Sequence, residues 1–295
     1  MVYFCFILMY QKIYDGYLQL IRAQKPVGFF LLLFPCLFSL ACETQSLFAF
    51  FLWMIFFSIG AFVMRSAGCI INDIIDSKFD NHVNRTKDRP IASDRVSIHE
   101  ALYMLIPNLI IGMLLLLVIG LKSFMLALVS LVFMIIYPYC KRFIDYAQIC
   151  LAFVFNTGVL FVSIAVHNHI TFNSVVLYLA CVFWTVLYDT IYAHQDKEDD
   201  LRIGLKSMAL TEHGNRKWLL RYLYAVFILI FANVLLLRFS IITVIGIFLI
   251  FAFMYYDIEV VDLDNPKHCG FLFKKQGFLY QPLVLIVLLL GKRFF

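Results

Sequence analysis

Nine apolar stretches recur along this chain, each of a length suited to crossing a bilayer, and no other feature of the sequence restricts the fold so strongly. They run near residues 26–42, 47–70, 101–119, 122–140, 146–167, 171–190, 219–237, 239–258 and 277–293. A spanning helix needs about 20 mostly apolar residues. Lipid offers no partners to backbone N–H and C=O groups, so a segment that crosses it must satisfy them internally. The expected fold is therefore all-α: a multi-spanning transmembrane helical bundle of about nine helices. Composition agrees, because 63% of the residues are hydrophobic and only 15% charged, whereas soluble domains have about 45–50% and about 25%. A water-soluble fold of this make-up would expose large apolar patches. Residues 1–295 read as a single domain, with 1–20 a poorly defined N-terminal segment. The apolar start, residues 1–10, is too short to span, and it lacks the basic flank and small-residue cleavage site of a signal peptide.

The eight cysteines are scattered, with no C-x-x-C pair. They read as small hydrophobes between helices, not as a disulfide framework or a zinc site. The net charge of +5 reports topology, not nucleic-acid binding. Nineteen of the 24 Lys and Arg fall in the N-terminal segment, in the connections after even-numbered spans and at Arg221; Lys122, Arg238, Lys292 and Arg293 fall on the other side, and Arg65 lies inside the second span. The positive-inside rule then places the N-terminus and the even connections in the cytoplasm. Two of those connections, 72–100 and 191–218, are long and charged, so function is expected to sit in these cytoplasmic cap loops.

In the first of these segments Asn72, Asp76 and Asp80 are spaced i, i+4, i+8. If the second helix continues past the membrane they form one stripe. Oxygen-bearing side chains aligned in this way repel one another unless a cation is present, and hard divalent ions prefer such ligands. Arg85, Lys87, Arg89 and Arg95 follow at once, a pairing of acids and bases that suits a metal–diphosphate. In the second segment Asp189, Tyr192, Asp196 and Asp200 would share one face of a helix. Asp189 borders an apolar span, where a carboxylate is costly and a functional role is the default reading. Asp73 and Asp199 read as supporting acids, and His194 as a hydrogen-bonding residue more readily than a metal ligand.

These residues resemble the UbiA superfamily of membrane prenyltransferases, and within it the hydroxybenzoate branch. The family pattern N-D-x-x-D-x-x-x-D with R-T-x-x-R-P is matched by Asn72-Asp73, Asp76, Asp80, Arg85-Thr86 and Arg89-Pro90. The pattern D-x-x-Y-A-x-x-D-x-x-x-D with I-G-x-K-S is matched by Asp189, Tyr192-Ala193, Asp196, Asp200 and Ile203-Gly204-Leu205-Lys206-Ser207. Arg22, Lys25-Pro26 and Gly28 match an N-terminal R-x-x-K-P-x-G. Met64-Arg65, Ala67-Gly68-Cys69 and Tyr137-Pro138 with Lys141-Arg142 match two further segments. The resemblance extends over about residues 17–290.

The resemblance implies Mg²⁺-dependent transfer of a polyprenyl group from polyprenyl diphosphate to the ring of 4-hydroxybenzoate, ortho to its hydroxyl, as in ubiquinone biosynthesis. Asn72, Asp76, Asp80, Asp189, Asp196 and Asp200 would hold the metal. Arg85, Arg89, Lys141, Arg142 and Lys206 would hold the diphosphate, and Tyr192 would face the allylic cation. Arg65 lies two turns deeper than Asn72 on the same face and would bind the benzoate carboxylate, with Arg22 assisting; the alternative for Arg65 is a bond to a buried acid or carbonyl. Besides the two substrates, the lipid bilayer is the expected partner, with no nucleic acid and no obligate protein. Transfer to haem, homogentisate or a naphthoate is the rival within the family, and a cation or phosphate transporter the rival outside it.

Overall fold

The computed structural model describes residues 15–81 and 86–292, with the side chains of Phe79 and Lys141 outside that description. The expectations for residues 1–10, for Arg85 and for the Lys141 side chain therefore lie outside the described residues. Among those described, the elements are helical and no strand occurs. Among the described residues nine apolar helices form the bundle: α1 (Val27–Glu43), α2 (Leu47–Asp80), α3 (Ile98–Ile119), α4 (Leu121–Phe143), α5 (Ala147–His167), α6 (Phe172–Ala193), α7 (Arg216–Leu236), α8 (Ile241–Val260) and α9 (Pro266–Gly291). Eight of them are long and apolar enough to span, and α1 adds a shorter apolar helix of 17 residues.

Local signals explain the boundaries. Ser97 and Glu100 form a reciprocal capping box at the start of α3: Ser97 Oγ accepts from the Glu100 N–H at 3.2 Å, and the Glu100 carboxylate accepts from the Ser97 N–H at 2.7 Å. Thr171 caps α6 by accepting from the Ser174 N–H. Asn265 caps α9, with Pro266 at its first turn. That cap starts α9 eleven residues before its most apolar stretch. Lys267, His268, Lys274 and Lys275 make this lead-in too polar for hydropathy to reveal.

Two crossing helices are irregular. α5 is interrupted at Asn156, whose Nδ2 donates to Ala152 O and to Thr185 Oγ1, both at 2.8 Å, tying α5 to α6. α9 contains a π turn, Gln276–Tyr280, and there Gln276 Oε1 accepts from Trp184 Nε1 at 2.9 Å.

Consecutive helices pack as neighbours, and α9 returns to α1. α6 lies at the centre, with 67% of its most apolar window buried, against 11% for α3. The main core joins α1, α6, α7, α8 and α9 through Leu31, Phe38, Trp184, Ile230, Ile247, Met254 and Val284. Phe38 and Trp184 stack there with ring centroids 6.0 Å apart. Phe48, Leu121, Ile241 and Phe253 point outward and are exposed, as side chains facing lipid should be.

α2 is 34 residues long. At about 1.5 Å per residue it reaches roughly 50 Å, against a hydrocarbon core of about 30 Å. Its final turns, with Asn72, Asp76 and Asp80, therefore project beyond the apolar layer on one continuous helix, as their spacing requires. The second acidic segment differs from its expected form. α6 ends at Ala193, the Gln195 and Asp196 N–H groups close tight turns onto Tyr192 O and Ala193 O, and a separate helix runs Lys197–Ile203. Asp189 and Tyr192 thus lie on one helix, whereas Asp196 precedes the next and Asp200 sits in its first turn. Glu198, Asp199 and Asp200 favour a fresh helix start at this point, because acids are stabilised near a helix N-terminus.

Candidate active site

A cavity of about 1230 Å³ lies among α1–α5 and is closed at one end by the tip of α6 and the first half of α9. Helices α7 and α8 contribute nothing to its wall; α7 packs against α6 and holds it in place, and α8 packs against α7 and α9. The wall changes character along its length. Arg22, Arg65, Asn72, Asp73, Arg89, Asp189, Tyr192, Gln195 and Lys274 make it polar at one end, while Phe56, Leu109, Leu116, Ile119, Phe124 and Phe161 line an apolar remainder. α2 and α6 run in the same direction in this alternating bundle, so the two acidic segments meet at the polar end.

Asp73 is the hub of that end. It is only 1% exposed. Its Oδ1 accepts from Arg22 Nη2 at 2.7 Å and lies 3.2 Å from Arg89 Nη1. Arg89 Nη1 also donates to Asp80 Oδ2 at 2.6 Å. The residue expected only to support its neighbours thus gathers an N-terminal arginine and a loop arginine onto α2. Asp76 lies 3.8 Å from Arg142, which donates to Ile75 O and stands over the Tyr139 ring. Lys206 is further out: it donates to Phe143 O and lies 4.0 Å from Asp145, away from the cavity wall. Asp76 and Asp80 follow Asn72 by one and two turns, and Asp196 follows the lining residue Gln195; none of these three, nor Asp200, is itself part of the wall.

Two oxygens at this end are buried without a hydrogen-bond partner, Asn72 Oδ1 and Asp73 Oδ2. Buried polar atoms are otherwise almost always paired. Hard oxygen donors held in this way, with Asp189 on the same wall, fit a magnesium ion. Among the described residues no three His, Cys, Asp or Glu side chains converge to enclose a metal by themselves. Mg²⁺ commonly takes one or two carboxylates and completes its shell with phosphate and water.

Arg65 lies along the cavity wall two turns below Asn72. Its Nη1 donates to Cys69 Sγ one turn further on, and no carboxylate of the described residues lies within ion-pairing distance. Tyr192 also lines the cavity, its ring 4.5 Å from that of Phe273. His194 Nε2 bonds to Gly214 O at 2.9 Å, and burial pushes the imidazole pKa below its ordinary value; it ties the α6 tip to the following loop. Gln195 and Lys274 are wall residues that the sequence did not single out. The Lys274-Lys275 pair reads as a loop in one dimension, but on α9 Lys275 turns away to Asp257, 2.7 Å distant, while Lys274 faces the cavity. The seven described cysteines are free thiols.

The UbiA prenyltransferase family pattern matches residues 32–281. The 4-hydroxybenzoate octaprenyltransferase of Francisella tularensis subsp. novicida is 36% identical over 263 residues, covering 89% of this chain and 88% of that protein. The mitochondrial 4-hydroxybenzoate polyprenyltransferase of Dictyostelium discoideum is 38% identical over 92% of this chain and 60% of its own length. Among solved structures, a UbiA homolog from Archaeoglobus fulgidus bound to GPP and Mg²⁺ superposes with a TM-score of 0.68 at 20% identity, covering 92% of this chain and 99% of that one. The apo structure of a UbiA homolog from Aeropyrum pernix gives 0.68 at 22%, covering 90% and 96%.

Proposed function

This chain belongs to the UbiA prenyltransferase family, and from that membership we propose that it transfers a polyprenyl group from polyprenyl diphosphate to the ring carbon of 4-hydroxybenzoate ortho to the hydroxyl. It is an integral, multi-pass membrane protein. The observation that carries the reading is the cavity: an apolar interior that would take a prenyl chain leads to an end where buried oxygens and arginines face one another.

Asn72, Asp73 and Asp189 on the wall, with Asp76, Asp80, Asp196 and Asp200 next to it, would hold Mg²⁺ with the diphosphate. Bound there, the ion supplies positive charge to the leaving oxygens as the allylic C–O bond breaks. Arg89, already oriented by Asp73, would meet the remaining phosphate oxygens; Arg22, expected from the resemblance to assist at the acceptor, is held by the same Asp73 and would join Arg89 there instead, and Lys274 approaches from α9. The faces of Tyr192 and Phe273 would attend the allylic cation, an attraction of about 0.5–2 kcal/mol per ring, and the apolar wall would keep out the water that would quench it. Arg65 would take the acceptor's carboxylate, turning the electron-rich ring toward the cation. After the new C–C bond forms, loss of the ring proton restores aromaticity. We place the protein in a cell inner membrane, and the charge distribution along the chain supports an orientation with both acidic segments in the cytoplasm.

Membranes containing the protein, incubated with Mg²⁺, 4-hydroxybenzoate and polyprenyl diphosphates of several lengths, are expected to yield 3-polyprenyl-4-hydroxybenzoate by mass spectrometry. Arg65→Ala is expected to raise the acceptor KM far more than the donor KM. Product formed equally well from haem, homogentisate or a naphthoate, or no product from any acceptor, would overturn the assignment.

A further inference from the structure

Gly28 occupies the first turn of α1 and faces α2 across the cavity wall. Glycine is the poorest helix former after proline, so its presence here has to serve something other than the helix. A Cβ built at Gly28 would lie 2.7 Å from Arg65 Cζ, and nearer still to Nη2 and Nε. The Nε–Nη2 edge of the guanidinium therefore rests directly against the glycine. On its opposite side Nη1 donates to Cys69 Sγ. A long, flexible side chain is thus berthed between two small residues on two different helices.

We propose that Gly28 is a positioning residue for the acceptor: the missing side chain lets Arg65 lie flat against α1, which sets where the acceptor carboxylate can sit and how far its ring reaches toward the allylic carbon. The proposal rests on the assignment of Arg65 to the acceptor carboxylate. The three atoms that a methyl group at position 28 would meet first all belong to the tip of one flexible side chain, Arg65. The fold accommodates it while Arg65 is pushed off its berth and away from Cys69.

The experiment uses full-length protein in detergent or proteoliposomes and compares wild type, Gly28→Ala, Arg65→Ala and the double variant. Gly28→Ala is expected to leave the thermal midpoint unchanged or higher, to raise the 4-hydroxybenzoate KM by about tenfold or more, since small misplacements of a positioning group carry large kinetic penalties, and to leave the donor KM within about twofold. In the Arg65→Ala background Gly28→Ala should add nothing, because the two residues act as one unit. N-ethylmaleimide labelling of Cys69, followed by peptide mass and normalised to Cys36 on the same cavity wall, reads the displacement without any substrate; the Cys69/Cys36 rate ratio should rise in Gly28→Ala. An unchanged ratio with an unchanged acceptor KM overturns the proposal, and so do additive effects in the double variant. A raised ratio with an unchanged acceptor KM leaves the berth established and refutes the carboxylate assignment of Arg65.

Discussion

Replacing Asp73 by Asn keeps the volume and one oxygen at the hub of the polar end but removes its charge. In the native protein Asp73 Oδ1 accepts from Arg22 at 2.7 Å and lies 3.2 Å from Arg89. Removing one member of a buried ion pair costs about 3–5 kcal/mol, because the other charge is left buried without compensation. Here the figure is smaller for two structural reasons. The Arg22 and Arg89 side chains are 23% and 17% exposed, so water screens part of the loss, and Arg89 retains Asp80 at 2.6 Å. The expected cost is about 2 kcal/mol, near the middle of the range for one hydrogen bond to a charged group, about 1.5–3 kcal/mol. At roughly 2–4 °C per kcal/mol this lowers the thermal midpoint by about 4–8 °C. Arg22 should lose its place more completely than Arg89, so the donor KM should rise with the acceptor KM little changed. Thermal unfolding of the purified protein in detergent, together with initial rates at varied donor and acceptor, measures both effects. A midpoint within about 1 °C of wild type with unaltered donor kinetics would refute the idea that Asp73 organises the two arginines.

Three further outcomes are expected. Asp76→Ala and Asp196→Ala should each abolish transfer in membranes, as should chelation of Mg²⁺ by EDTA with recovery on adding it back; near-normal turnover in both variants would remove the metal reading. Trp184→Phe strands the buried Gln276 Oε1 at the π turn of α9 and should cost about 1–3 kcal/mol, with part recovered when Gln276→Leu is added; the thermal midpoints of the single and double variants test this. Gly204→Ala places a Cβ in open space but on a backbone with φ of 71°, so the expected cost, about 1–2 kcal/mol, comes from the left-handed conformation alone. A fluorescent thiol-reactive melt should resolve that shift, and an unchanged midpoint would show that the end of the Lys197–Ile203 helix bears no strain.

The apolar helices of the bundle, eight of them long enough to span and α1 shorter, were legible in the sequence because the requirement is one-dimensional: a run of apolar side chains long enough for lipid, with every backbone group satisfied inside the helix. The acid spacing on α2 was legible for a similar reason, since 72, 76 and 80 sit on one unbroken helix and a helix converts spacing directly into a face. The same logic misplaced the second acidic segment. A continuous helix through 189–200 satisfies the spacing, but the chain turns at His194–Asp196 and starts again, a choice made by local hydrogen bonds and by the His194 bond to Gly214. Spacing also ranked Asp73 below Asp76 and Asp80. Its importance comes from Arg22, 51 positions away in the chain, and from a loop arginine folded back over α2.

The sequence by itself determined that the chain crosses a membrane many times and carries two acidic segments of one family's pattern, because solvent preference and helical spacing are properties of neighbouring residues. Only the tertiary structure decided that α1–α5 enclose the cavity while α7 and α8 merely brace it, that Lys274 faces inward and Lys275 away, and that Arg65 is berthed between Gly28 and Cys69. Those outcomes depend on which faces of distant helices meet, and close packing settles that through contacts with no signature along the chain.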